Sequence, residues 1–211
     1  MSQVGFVVGL EAEARLVRDL GPVAVGGEAA ARGLIGRVGA LVSFGLAGGM
    51  HPRLLPGYVL VPKQVRIGRE TYSCDPDLIA AFGGSTCELM LAVEQVVASA
   101  ARKATLFQAT QAAGVDMESG TVVKLAREYG LPFAVVRAVC DPHDRSLPLV
   151  AQQALDPQGK IRFKFILRSL AVRPWEIVDL VKLARDARKA RQSLMKLLDN
   201  WRKRGASPCR N

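Results

Sequence analysis

The stretch Pro132-Phe133-Ala134-Val135-Val136-Arg137-Ala138-Val139-Cys140 is apolar except for Arg137, and the acid Asp141 follows it directly. An uninterrupted run of this kind, rich in β-branched residues, is typical of a buried strand. A second acidic sequence, Val115-Asp116-Met117-Glu118-Ser119, stands at the start of a helical pattern. Because sites in open α/β sheets gather at the carboxyl ends of strands, we expect Glu118 and Asp141 to meet at one edge of a sheet.

Apolar runs elsewhere in the chain alternate with helical patterns. The remaining predicted strands span 4–10, 40–44, 58–61, 85–93 and 114–116, and the predicted helices span 11–20, 97–111, 118–129 and 161–171, with a final helix from 174. Strands that alternate with helices imply a largely parallel sheet covered on both faces. The prediction is a three-layer α/β/α fold with a central mixed, largely parallel sheet, in one domain over residues 1–204 followed by a flexible tail at 205–211.

The composition is that of a chain able to bury one substantial core, with 211 residues, of which 49% are hydrophobic and 23% charged. The four cysteines show neither paired spacing nor a neighbouring histidine cluster, so no metal site and no disulfide scaffold is expected. The first apolar run, 4–10, is too short and wrongly flanked for a signal peptide, and no apolar run reaches membrane-spanning length. A cytoplasmic location is therefore expected.

The net charge of +10 is unevenly distributed along the chain. Nine Lys/Arg residues lie between Lys182 and Arg204, against only Asp186 and Asp199. Apolar residues in the same region recur at three- and four-residue steps, which predicts a basic amphipathic helix over 174–204. Such a helix can pack its apolar stripe on the core, lie on anionic lipid or bind nucleic acid.

Two further groups of residues follow predicted strands. Gly45, Gly48 and Gly49 would let the backbone approach a ligand closely, as phosphate and ribose sites require, although a tight turn also explains them. Glu11 and Glu13 open the helix after the first strand, where acids complement the helix dipole. Because the strand ends there, at least one of these two acids should also lie at the edge of the sheet.

These motifs together resemble the nucleoside phosphorylase and nucleosidase superfamily, especially the bacterial nucleosidases that cleave methylthioadenosine and adenosylhomocysteine. They occur in family order across most of the chain, at 9–13, 43–49 with 56–61, 116–119, and 132–138 ending in Asp141. Within the superfamily the chain is most similar to the hopanoid-associated phosphorylase branch, through 115–119, the loop 141–148, the short 104–113 segment and 173–175 leading into the basic helix. A protein of that branch would remove adenine from adenosylhopane.

The resemblance implies a role for each candidate site residue. Asp141 would donate a proton to the leaving base, Glu118 would hold the ribose hydroxyls, and Glu13 would orient the nucleophile. The implied substrate-binding residues are Met117, Asp116, Gly45, Ala47, Gly48, Phe107 and Arg137, with Met117 against the sugar and Phe107 as the candidate for stacking on the purine. These roles suit the chemistry, because breaking a ribosidic C–N bond develops positive charge on the sugar and negative charge on the base.

The sequence leaves two alternatives for the nucleophile, water and phosphate. A carboxylate about 4 Å from a phosphate repels it by about 4 kcal/mol per charge pair at an effective dielectric near 20, so Glu13 favours water. Arg15, Arg66 or Arg137 would favour phosphate if they point inward, and Leu46 stands where many relatives have Ser or Thr in contact with the phosphate or water. No cofactor is expected, with inorganic phosphate as the alternative co-substrate.

Two other functions are compatible with the sequence. The first is a soluble nucleosidase for methylthioadenosine, adenosylhomocysteine or another small nucleoside. The second is a non-catalytic, basic nucleic-acid-binding module, suggested only by the pI of about 9.9. The expected partners are an adenine nucleoside, a second copy of the chain in a homodimer and, through residues 182–204, the anionic inner face of a membrane; no nucleic acid is expected.

Overall fold

The computed structural model describes residues 3–149, 151 and 174–203. The strands are β1 (Val4–Val8), β2 (Val23–Val25), β3 (Ala40–Gly49), β4 (Val59–Leu60), β5 (Pro62–Ile67), β6 (Glu70–Ser73), β7 (Cys87–Ala92), β8 (Gly114–Asp116) and β9 (Phe133–Asp141). The helices are α1 (Glu11–Val17), α2 (Glu28–Arg32), α3 (Pro76–Ala81), α4 (Ala100–Thr110), α5 (Ser119–Tyr129) and α6 (Ile177–Lys203), the last preceded by a 3-10 turn at Pro174–Glu176. The predicted helix at 161–171 and the predicted tail at 205–211 lie outside the described residues.

The described strands form one mixed sheet in the order β2-β1-β3-β8-β7-β5-β6, with β9 paired to both β3 and β4. Parallel pairs join β1 to β2 and β3, β9 to β3, and β7 to β5 and β8. Antiparallel pairs join β8 to β3, β4 to β9 and β6 to β5. The sheet is therefore largely parallel. Parallel neighbours need crossover connections, which carry the chain back so that the next strand runs in the same direction.

Side chains alternate between the two faces of the central strands, so each face has its own core. One core joins alternate residues such as Phe6, Phe44 and Val136 to apolar side chains of α1, α3 and α6. The other joins the residues between them, such as Leu41 and Val135, to α2 and α5. Helices on both faces confirm the predicted three-layer α/β/α architecture.

Strand β3 determines where neighbouring strands separate. Its residues 41–47 pair with β9, the register shifts between Ala47 and Gly48, and Gly48 and Gly49 then pair with β8. The glycine-rich segment is therefore the end of a long strand, and the predicted strand end at 44 was wrong. The carboxyl ends of β3 and β9 and the residues that follow β8 come together at this point.

The two halves of α6 differ in burial. Its C-terminal half packs on the sheet through the buried residues Ala190, Leu194, Leu198 and Trp201. The Trp201 ring stacks on Phe82 of the α3 end with 5.7 Å between centroids. The N-terminal half leaves apolar side chains in solvent, among them Val178, which is 59% exposed. The long basic helix is confirmed, and none of the described helices is long and apolar enough to cross a membrane.

Candidate active site

A cavity of about 200 Å³ opens at the carboxyl ends of the central strands. The residues that line it are Leu46, Ala47 and Gly48 of β3, Val93, Val96 and Val97 after β7, Val115 and Asp116 of β8, Met117 and Glu118 before α5, Cys140 and Asp141 of β9, and Leu147. Glu118 and Asp141 thus face one hollow although they come from separate segments. Most of the lining is apolar, with three acids among the described residues.

Glu13 lies on α1; it is not among the residues that line the cavity, but it bonds the backbone of the lining residue Leu46. One carboxylate oxygen accepts hydrogen bonds from the backbone N–H groups of Gly9 and Leu10 at 3.0 and 2.8 Å, and the other accepts one from Leu46 N–H at 2.8 Å. The side chain is buried, and burial raises the pKa of Glu13 to about 7, against an opposing effect of the Arg137 guanidinium. This carboxyl group can therefore gain or lose a proton near neutral pH.

Arg137 is 1% exposed and is surrounded by oxygen atoms. Its Nε lies 2.9 Å from an Asp116 carboxylate oxygen and its Nη2 lies 3.0 Å from one of Glu118. The guanidinium also donates to Ser43 Oγ at 2.6 Å and to the Leu46 carbonyl at 3.3 Å. Arg137 therefore lies beneath the cavity, where it neutralises carboxylates, and it is not among the lining residues.

Asp116 fixes the start of α5. Its Oδ2 accepts from the Ser119 backbone N–H at 3.1 Å and from Ser119 Oγ at 2.7 Å, and Ser119 Oγ also contacts Ser43 Oγ at 3.1 Å. These bonds hold the intervening Glu118, whose side chain stays 24% exposed toward the cavity. Burial raises the pKa of Glu118, and the Arg137 guanidinium opposes that rise.

Two glycines make room for these acids. A Cβ atom on Gly9 would stand 2.5 Å from a carboxylate oxygen of Glu118, and one on Gly45 would stand 2.6 Å from the carboxylate of Glu13. Gly45 also has φ of +145°, a conformation that side chains of other residues disfavour. The resemblance implies that Gly45 contacts the substrate; in the structure Gly45 lies against Glu13 and is not among the lining residues.

Asp141 ends β9 at the opposite side of the cavity and is only 4% exposed. Its Oδ2 lies 2.5 Å from Nζ of Lys103, which comes from α4 and is fully buried. Its Oδ1 is buried and has no hydrogen-bond partner among the described residues. Burial raises the pKa of Asp141, and the Lys103 ammonium opposes that rise. No sequence pattern identifies Lys103, because a lysine in an alanine-rich helix is normally solvated.

Of the two side chains expected to contact the substrate through apolar atoms, only Met117 lies on the cavity lining. Met117 lines the cavity and is 43% exposed. Phe107 is not among the lining residues: it belongs to a small cluster under α4 and packs edge-on against His51, with ring centroids 5.2 Å apart. The candidate for stacking on the purine is thus directed into a side cluster, and the described lining contains no aromatic side chain.

The arginines considered for phosphate binding do not reach the cavity. Arg15 is exposed on α1. Arg66 donates to the Gly68 carbonyl at 3.1 Å, within the turn between β5 and β6. With Arg137 enclosed by carboxylates, no cationic side chain stands among the lining residues that the structure describes.

This fold and the strand-end cluster of acids define the class of protein. A family model described as the phosphorylase superfamily matches residues 20–170, and the chain belongs to that superfamily. Membership confirms the predictions of the superfamily and of an enzyme that cleaves the N-glycosidic bond of nucleosides.

Solved structures with the same fold include nucleosidases from several bacteria. A mutant 5′-methylthioadenosine nucleosidase of Helicobacter pylori with 5′-methylthioadenosine in the active site is 15% identical, with a TM-score of 0.63 over 95% of this chain and 99% of that one. The Neisseria meningitidis 5′-methylthioadenosine/S-adenosylhomocysteine nucleosidase in complex with methylthio-immucillin-A is 16% identical, with a TM-score of 0.63 over 95% and 100%. The futalosine hydrolase of Helicobacter pylori is 15% identical, with a TM-score of 0.62 over 94% and 98%. At these identities the likeness shows the fold alone, and comparison with curated proteins gives no significant match.

Proposed function

We propose that this enzyme releases adenine from an adenine nucleoside, with Asp141 as the proton donor to the base, Glu118 on the ribose hydroxyls and Glu13 orienting the nucleophile. The observation that carries the proposal is that Glu118 and Asp141, from separate segments, line one cavity. Membership of the phosphorylase superfamily supports the same reaction class.

The reaction breaks the C1′–N9 bond, and the bonding electron pair leaves with the purine. A proton from Asp141 passes to a ring nitrogen of the base, so the leaving group departs without a full negative charge. The sugar becomes positively charged, and the carboxylate of Glu118 stabilises that charge while it accepts hydrogen bonds from the ribose hydroxyls. Met117, which is partly exposed on the lining, packs against the sugar face.

Water is the nucleophile we propose. Phosphate needs cationic partners, and the described lining offers acids and apolar groups instead. Glu13 holds its carboxylate behind Leu46, and its raised pKa suits a group that takes a proton from attacking water near neutral pH. The proton that Glu13 gains balances the one that Asp141 gives to the base.

The substrate we favour is adenosylhopane, whose 5′ substituent is a large apolar group. The valines of the segment after β7, together with Leu147, form an apolar wall, and Val96 is 47% exposed at its rim. A soluble methylthioadenosine or adenosylhomocysteine nucleosidase is the second candidate. The structural neighbours that carry those names favour it, and the same apolar wall accommodates a small thioether.

Measuring adenine release tests both the proposed nucleophile and the proposed substrate. Purified protein is incubated with adenosylhopane, with methylthioadenosine and with adenosine, each with and without inorganic phosphate, and Asp141→Asn serves as the inactive control. We expect adenine and free ribosylhopane from adenosylhopane, at a rate independent of phosphate. Activity on methylthioadenosine without activity on adenosylhopane selects the second candidate, a requirement for phosphate overturns water as the nucleophile, and no release from any nucleoside overturns the proposal.

We also propose that the N-terminal half of α6, with the 3-10 turn before it, contacts an anionic membrane, which would bring the enzyme to a lipid substrate. Trp175 and Val178 are 70% and 59% exposed, and Lys182, Arg185 and Arg188 follow on the exposed part of the helix. Aromatic and aliphatic side chains next to basic ones are the pattern of interfacial helices. The C-terminal half of α6, in contrast, is held by the core.

Substitution tests this contact better than truncation, since removing α6 would expose the core. Trp175→Ser combined with Val178→Ser should weaken binding to vesicles that contain anionic lipid, whereas Met195→Ser, which removes an exposed apolar residue from the packed half, should not. Binding that both variants retain equally would contradict the proposal. Binding to RNA with a steep salt dependence would instead favour the nucleic-acid alternative.

A homodimer completes the proposal, with a neighbouring copy covering the open side of the cavity near Val96 and Met117. Both side chains are more than 40% exposed there (47% and 43%), which is unusual for the wall of a substrate site. Light scattering should give twice the mass of the 22.7 kDa chain. A monomer that is fully active would contradict this part of the proposal.

A further inference from the structure

Lys103 is a lysine with no solvent-accessible surface. It lies on the first turns of α4, whose N-terminus is capped by Ser99 Oγ accepting from the Arg102 N–H at 3.1 Å. The segment before α4 is bound to the loop after β9 by a backbone hydrogen bond from Leu147 to the Ala98 carbonyl at 2.8 Å. A buried lysine is uncommon unless it is paired, so its partners define what it does.

The ammonium group has three N–H donors and three oxygen partners. Nζ lies 2.5 Å from Oδ2 of Asp141, 2.9 Å from the Pro142 carbonyl and 2.8 Å from the Arg145 carbonyl. Lys103 therefore fixes both the carboxylate and the loop that follows it. Since Oδ2 is taken, Oδ1 is the oxygen of Asp141 that has no partner among the described residues.

We propose that Lys103 is a positioning residue for proton transfer: it holds Oδ2 of Asp141, leaves Oδ1 as the oxygen that carries the proton to the leaving base, and stabilises the carboxylate that remains. This inference deepens the proposed function and rests on the role of Asp141 in it. In the step itself, the Oδ1–H bond breaks, a bond from hydrogen to the base nitrogen forms, and the negative charge left on Asp141 is balanced by the ammonium at 2.5 Å.

The charges around Asp141 set the direction of the effect. Burial raises the pKa of Asp141; Lys103 and, more weakly, Arg145 lower it, and Asp144 raises it. The neighbouring Cys140 stays neutral, since burial raises the pKa of its thiol to about 12. Removing the Lys103 charge therefore raises the pKa of Asp141 further. A general acid works only while protonated, so the loss of activity at alkaline pH should move to higher pH.

Lys103→Met tests the inference, because methionine fills similar space without charge. We expect kcat to fall by about 10- to 100-fold with little change in KM, and the alkaline limb of the kcat profile to move up by about one pH unit or more. The matched control is Lys124→Met on α5, whose side chain is 70% exposed and which should behave as wild type. Lys103→Gln, which keeps hydrogen-bond donors but not the charge, should move the limb in the same direction.

The double variant separates positioning from support of the loop. If Lys103 acts through Asp141, adding Lys103→Met to Asp141→Asn should cost little further activity. Losses that multiply, or an alkaline limb that does not move, overturn the inference. If neither Lys103 variant folds, the ¹⁵N signal of the Lys103 ammonium in the wild type should respond to Asp141→Asn, and an unchanged signal overturns it.

The proposed function fails separately from this inference. If Asp141→Asn alone keeps wild-type adenine release, Asp141 is not the proton donor and the proposed function is wrong in that role. If Asp141→Asn is inactive but Lys103→Met behaves as wild type in rate and pH profile, only the role of Lys103 is wrong.

Discussion

The two ends of the cavity balance their acids differently. At the end formed by β8 and α1, the guanidinium of Arg137 is shared by Asp116, Glu118 and the more distant Glu13. At the other end, Asp141 is the one carboxylate among the described residues that forms an ion pair with Lys103. The first end therefore carries excess negative charge, which suits a sugar that becomes cationic. At the second end the ammonium balances the carboxylate that remains once Asp141 has given its proton to the base.

Removing the shared cation should have the largest effect. Arg137→Met leaves the buried Asp116 and the half-buried Glu118 without a counter-charge, so we expect the free energy of unfolding in denaturant to fall by about 3–5 kcal/mol. The exposed Arg15→Met should change it by less than about 0.5 kcal/mol. An Arg137→Met protein as stable as wild type would show that the carboxylates hold protons and need no cation.

Asp141→Asn should have the next largest effect. The amide cannot donate an acidic proton to the base, so kcat should fall by about 10²- to 10⁴-fold, with a smaller change in KM. Adenine release under single-turnover conditions measures it. The control is Asp144→Asn, at an exposed position in the loop that follows. A normal rate in the Asp141 variant would show that Asp141 is not the proton donor.

Glu118→Gln should lower kcat by about 100-fold. The amide still reaches the ribose hydroxyls but no longer offsets the positive charge of the sugar, so the transition state loses more than the bound substrate does. The exposed Glu128→Gln at the far end of α5 is the matched variant. A rise in KM with kcat unchanged would indicate a role in holding substrate only.

The smallest effect we expect is a pH dependence from Glu13. The carboxylate must be ionised to take a proton from water, so kcat/KM should rise as pH passes about 7, and Glu13→Gln should abolish that rise. Glu11→Gln on the same helix turn should keep it. A rise that persists in the Glu13 variant would assign the limb to another group.

The same carboxyl group links stability to pH. The folded protein holds this proton up to about pH 7, whereas the unfolded chain releases it near 4.5. The folded state therefore binds more protons between those values, and the free energy of unfolding attributable to Glu13 should fall as pH rises through that window. Thermal unfolding of wild type and of Glu13→Gln at both ends of the window measures the difference.

Strong local patterns made part of this fold predictable. Strand β9 was predicted because its β-branched run leaves no alternative, and α5 because Gly130 ends it in a left-handed conformation with φ of 64°. The short strand β2 and the β5–β6 hairpin were missed, since three residues carry no period and the hairpin's outer strand is exposed and polar. Helix α3 was missed although Asp75 and Pro76 form a recognisable start, with the Asp75 side chain accepting from the Leu78 N–H at 2.9 Å.

The candidate site was predictable only in part, because its partners meet through the tertiary fold. The acids of the quoted motifs stand at strand ends, where the sequence placed them. No local sequence pattern predicts that Lys103 of α4 forms a buried ion pair with Asp141. Nor does one predict that Arg137 contacts the carboxylates of both Asp116 and Glu118. Phe107 is not among the residues that line the cavity, because the direction of a helical side chain depends on how the helix packs. The single-domain prediction and the roles of the site residues stay predictions.

Positions 9 and 45 limit how far this enzyme can be redesigned. Hydrogen is the only substituent that fits in front of the carboxylates of Glu118 and Glu13 at these positions. In a saturation-mutagenesis library, alanine at either glycine should therefore be depleted as strongly as loss of the acids themselves, although neither glycine performs chemistry. Libraries aimed at new nucleosides should keep both glycines and vary the apolar wall formed by Val93, Val96, Val97 and Leu147.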